Sequence, residues 1–198
     1  MKSINIASNE VSHGYWKPSS KTKTVLTILT VIAWIIFVGL CIQAGGLLTN
    51  AFFVLAKPES VKYLWQEADL KALFNYNQGH FFSQVSIMAV VAILKAYLFY
   101  RIISILHDKR LTIAKPFTTK AESFISASAF LTLLIGLFSV LGTKYTDWLR
   151  TQNVKMPDIQ QLNLAGADVW LFMCVILFVI AQIFKKGTAL QTENELTV

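Results

Sequence analysis

Val25–Leu48 reads VLTILTVIAWIIFVGLCIQAGGLL, twenty-four residues without one charge. A helix needs roughly 20 mostly apolar residues to cross the hydrocarbon of a bilayer, so this run is long enough to do so alone. Three further stretches repeat the pattern. Phe81–Leu106 is charged only at Lys95 and Arg101, Ser123–Leu141 reads SFISASAFLTLLIGLFSVL, and Val169–Phe184 reads VWLFMCVILFVIAQIF. The whole chain agrees: of its 198 residues 55% are hydrophobic and 15% charged, where a soluble domain carries about 25% charged residues. That composition points away from a cytosolic globular enzyme. It also rules out intrinsic disorder, which needs low hydrophobicity and high charge. The expected fold is an all-α membrane protein of four transmembrane helices, at about 25–48, 81–106, 123–141 and 169–184. Together they make one domain over 23–186, flanked by tails at 1–22 and 187–198.

Four crossings put both termini on one side, and the distribution of charge says which. Positive residues gather on the cytoplasmic side of a membrane protein. If the tails and the 107–122 connection share a side, that side holds Lys2, Lys17, Lys21, Lys23, Arg101, Lys109, Arg110, Lys115, Lys120, Lys185 and Lys186 against Glu10, Asp108, Glu122, Glu193 and Glu195. The opposite side has six basic and six acidic residues and is neutral. The expectation is therefore cytoplasmic N- and C-termini, and a net charge of +7 that sets topology rather than binding nucleic acid. The first span reads as a retained anchor, because its apolar core exceeds the 7–15 residues of a signal peptide.

The outer connections carry patterns of their own. After Pro58, ESVKYLWQEADLKALF spaces Val61, Leu64, Trp65, Ala68 and Ala72 at helical intervals, with the proline suited to a first turn. This predicts a short extracytoplasmic helix at the interface between spans one and two. Tyr145 and Trp148 mark the outer boundary of the third span, since amphipathic rings favour the headgroup level. On the inner side, Thr119 and Glu122 have capping-box spacing and open the third helix. Gly187, after Lys185 and Lys186, is read as ending the fourth.

Few residues offer chemistry. Lys95 lies about 16 Å along the helix from its end at Leu106, close to the midplane, where ionisable groups are rare and face an interior, a cavity or a partner. It reads either as an intramembrane site for an anion, a proton or a lipid headgroup, or as a lysine reaching the inner interface beside Arg101. Ser128, Thr132 and Gly136 form a small-residue stripe that suits close helix packing, within the bundle or at a homo-oligomer seam. Cys41 and Cys174 read as buried free thiols. His13, His80 and His107 fall in different places, and no metal, nucleotide or hydrolase motif is present. The expectation is a non-enzyme with no cofactor.

The Lys115–Thr118 sequence Lys-Pro-Phe-Thr before the third span, the terminal Glu193–Val198 sequence Glu-Asn-Glu-Leu-Thr-Val and the four spans resemble the bacterial domain-of-unknown-function family 2975. That family shows Pro-Phe-Ser/Thr after its second span and ends in Glu-Asn-Asp-Leu-Thr followed by Ile or Val. Glu195 stands here in place of Asp. The resemblance implies a multipass protein of the bacterial inner membrane with no assigned activity, and a cytosolic helix-turn-helix regulator as partner. It points to Pro116, Phe117, Thr118, Glu193, Asn194, Leu196 and Thr197 as the docking residues. Two functions are compatible with these features: a regulatory or sensory membrane partner of a cytosolic protein, or a small transporter, channel or accessory subunit working through Lys95.

Overall fold

A peptide in hydrocarbon has no water to bond, so an isolated apolar run must satisfy its backbone internally, as a helix. The computed structural model describes residues 20–56, 69–107 and 117–196, and all the regular structure among them is helical. In chain order the helices are α1 (Ser20–Ala56), α2 (Lys71–Tyr76), α3 (Gln78–Leu106), α4 (Thr119–Thr151) and α5 (Ala167–Leu196). Four of them are long and apolar enough to cross a membrane, over Thr24–Val54, Gln78–Leu106, Thr119–Thr151 and Ala167–Glu193. The fold class expected from the sequence is the one observed. The predicted interfacial helix falls mostly on 57–68, outside the described residues. Helix α2 begins just beyond that segment, with the Asp69 carboxylate accepting from the Lys71 N–H at 3.0 Å, and Leu70 and Leu73 are completely buried there.

The long helices alternate in direction and lie side by side in chain order. Among the described residues α1 packs on α3, α3 on α4 and α4 on α5, while α1 approaches neither α4 nor α5. One end of the row, the terminal face, carries Ser20, Leu106, Thr119 and Leu196. The other end, the loop face, carries α2 and residues 152–166.

Burial explains each seam. On α1 the residues turned inward are Ala33, Phe37, Leu40, Ala44, Leu47, Ala51 and Val54, alternating four and three apart. That is the 3.5-residue repeat of helices crossing at a shallow left-handed angle. Many of the other described side chains of α1 point outward, with Ile35 67% and Phe52 70% exposed, which is tolerable only against lipid. The α4–α5 seam is built differently. Gly136 lies so close to Leu171 that an added Cβ would stand 2.7 Å from its Cδ2, and further along α4 Gly142 is equally tight against Leu164 of the connection to α5. Small residues replace the missing hydrophobic drive in lipid by letting backbones approach.

Helix ends depart from the sequence reading, and each departure has a local cause. Asn77 starts α3 three residues early by accepting from the Gly79 and His80 N–H groups at 2.7 and 3.3 Å. Thr118, rather than Thr119, caps α4 through its hydroxyl, which accepts from the Ala121 N–H at 3.2 Å. Glu122 then sits within the first turn and favours the helix dipole without closing a capping box. Gly187 does not end α5, which continues to Leu196.

Candidate functional site

The terminal face joins residues that are far apart in sequence. Phe117 precedes the cap of α4, and its ring meets Phe184 of α5 with centroids 5.2 Å apart, at 60°. It also covers Gly187 so closely that a Cβ there would lie 2.5 Å from the ring. The glycine therefore works as a seat for the aromatic ring, which is why helix continues through it. Its own preference to terminate helices is overridden by packing. From that seat α5 runs on with Glu193 exposed, about 9 Å further along the axis. Asn194 and Leu196 lie in the same helix by their backbone, while Pro116 and Thr197 are outside the described residues. Phe117, Thr118 and the start of the terminal motif are thus carried on one end of the α4–α5 pair.

Lys95 is engaged toward the loop face. Its Nζ donates to the Asn163 carbonyl at 3.1 Å and stands 5.6 Å from the centre of the Trp170 ring. The reach toward Arg101 and the inner interface is not what the structure contains. The acceptor sits at a backbone turn, where Asn163 has φ 56°, a left-handed conformation that asparagine tolerates better than most residues. The same segment descends from the end of α4 with Val154, Leu162 and Leu164 buried. Arg150 holds its middle by donating to the Pro157 carbonyl at 2.8 Å. Gly166, at φ 78°, then turns the chain into α5. Lys95 therefore acts as a positioning residue for this segment, with one of its ammonium donors on the Asn163 carbonyl and the Trp170 ring beside it.

Ser128, Thr132 and Gly136 are all buried, with Ser139, Gly142 and Thr146 extending the same seam toward the loop face. The Thr132 hydroxyl donates to the Ala129 carbonyl at 2.8 Å. Thr146 accepts from the Gln84 amide at 3.1 Å, tying α4 to α3. Of the two thiols, Cys174 is buried and Cys41 is exposed on the outer side of α1; they sit on helices that do not touch.

Two features carried no readable signal in the sequence. His80 is enclosed by aromatic rings at the loop face: its Nδ1 is 2.6 Å from the Tyr145 hydroxyl, its ring stacks on Tyr76 and Trp148 meets it edge-on at 5.3 Å. Tyr145 and Trp148, read from the sequence as boundary rings, pack on a residue far back in the chain, with His80 lying 65 residues before Tyr145. A cleft of about 570 Å³ opens between the loop-face part of α4, residues 158–166 and the start of α5, lined by Lys144, Asp158 and Asp168 among others. Among the described residues no group of three His, Cys, Asp or Glu is arranged to hold a metal ion. Compared with models of known families, with curated proteins and with solved structures, the chain matches none.

Proposed function

We propose that this chain is a non-enzymatic, multipass protein of the bacterial inner membrane that presents a docking site to a cytosolic protein from its terminal face. Kinship with family 2975 is part of the proposal, and with it a small helix-turn-helix regulator as the partner. The observation that carries the reading is the Phe117–Gly187 seat. It fixes the residues before α4 against a helix that continues past its apolar run into the polar sequence Thr-Glu-Asn-Glu-Leu. A rigid helical post beyond the lipid lowers the ordering cost that a partner would meet on a free tail. The basic excess on this side supports cytoplasmic exposure. Transport through Lys95 draws no support, because the amine is bound to the Asn163 carbonyl.

The test is affinity purification of the full chain and of a variant trimmed at Glu193–Val198. The expected result is normal membrane insertion of both and loss of the bound helix-turn-helix protein from the trimmed variant. Phe117→Ala should weaken retention without removing the motif. Equal retention by all three would remove the terminal face from the function.

A further inference from the structure

Near the terminal face a second cleft, of about 490 Å³, lies between the end of α3 and the beginning of α4. Arg101 and Lys120 line it from the two helices, together with the hydroxyls of Ser104, Thr119 and Ser123 and the ring of Phe124. Among the described residues, none that lines it carries a carboxylate. The Arg101 guanidinium stands 5.9 Å from the centre of the Phe124 ring. That distance is within cation–π range, and a guanidinium carries several N–H donors suited to phosphate.

The depth of the cleft selects the ligand. The apolar run of α4 begins at Ser123 and that of α3 ends at Leu106, so the cleft spans the boundary where hydrocarbon gives way to headgroups. Tyr100, also lining it, is 53% exposed, an amphipathic ring at the level such rings favour. Cations, hydroxyls and an apolar wall meeting at that level match one molecule of the surrounding leaflet: phosphate against the cations, acyl chain along Tyr100 and Phe124. Basic pockets between helices on the cytoplasmic side are a recurrent form of such recognition. We infer that the α3–α4 cleft binds the headgroup of an anionic phospholipid through Arg101 and Lys120.

The experiment is native mass spectrometry of the full chain in mild detergent, offered equal amounts of dioleoyl phosphatidylglycerol and dioleoyl phosphatidylethanolamine. The expected result is retention of the anionic lipid with about tenfold preference, the scale of one charge-assisted contact. Arg101→Gln and Lys120→Gln should each reduce that preference about fivefold or more, while Arg101→Lys keeps most of it. Lys185→Gln, which removes an exposed charge from α5 on the same side, should leave it unchanged. If Arg101→Gln fails to insert, Lys120→Gln carries the test at an exposed position. Equal retention of the two lipids, or an undiminished preference in both glutamine variants, overturns the inference. So does displacement of the lipid by millimolar inorganic phosphate, which would assign the cleft to a soluble anion.

Discussion

Helices α1 and α4 are both apolar enough to cross a membrane, yet they meet the rest of the protein in opposite ways. Among the described residues α1 packs on α3 alone of the long helices, through a narrow seam of Ala, Leu, Val and Phe37, and Gly39 and Gly45 have nothing within 4 Å of an added Cβ. α4 is clasped on both sides, and on its buried face Ser128, Thr132, Gly136, Ser139, Gly142 and Thr146 stand among Leu131, Ile135 and Leu149. The difference separates two properties that a hydropathy scale merges. Apolar bulk places a helix in lipid; small and hydroxyl-bearing residues decide how closely it is held once there.

The contrast breaks hardest at the glycines. Gly136→Leu forces a side chain into Leu171 and its backbone, and should cost about 3 kcal/mol or more. Gly45→Leu on α1 should change stability by no more than about 0.5 kcal/mol. Unfolding in a graded series of mild to denaturing detergent measures both, and a similar cost at the two positions would erase the distinction. A smaller effect is expected at Lys95. Lys95→Met loses a charge-assisted bond of about 1.5–3 kcal/mol, and the damage should stay local. Hydrogen exchange over residues 152–166 should accelerate about tenfold while α1 and α3 keep their protection. Smallest of all is Ser139→Ala. The Ser139 hydroxyl is buried with no hydrogen-bond partner among the described residues, so its removal should be neutral or slightly stabilising. Thr132→Val, which gives up the bond to Ala129, should cost about 0.5–1 kcal/mol.

Much of this architecture is legible in the sequence because apolar runs are local. A charge-free stretch of more than 20 residues needs no knowledge of its neighbours to be read, and the Ser128–Thr132–Gly136 stripe shows its spacing directly. The ends of the helices are not legible in that way. α4 and α5 continue into Lys144–Thr151 and Lys185–Leu196, whose polar sequences resemble connection and tail. Gly187 reads as a stop because glycine usually is one, and only the Phe117 ring, seventy residues earlier in the chain, reverses that. Lys95 hides its partner for a related reason: a backbone carbonyl has no letter in the sequence. The Arg101–Lys120 cleft needs two helices placed side by side before it exists, and neither helix announces it alone.

The row of helices obeys the order in which the ribosome makes them. Each long helix after α1 packs against the long helix that precedes it in the chain. When α3 leaves the insertion machinery its partner is already in the bilayer, and the same holds for α4 and for α5. No contact between long helices has to wait for one made two steps later, so the nascent chain can assemble hairpin by hairpin while translation continues.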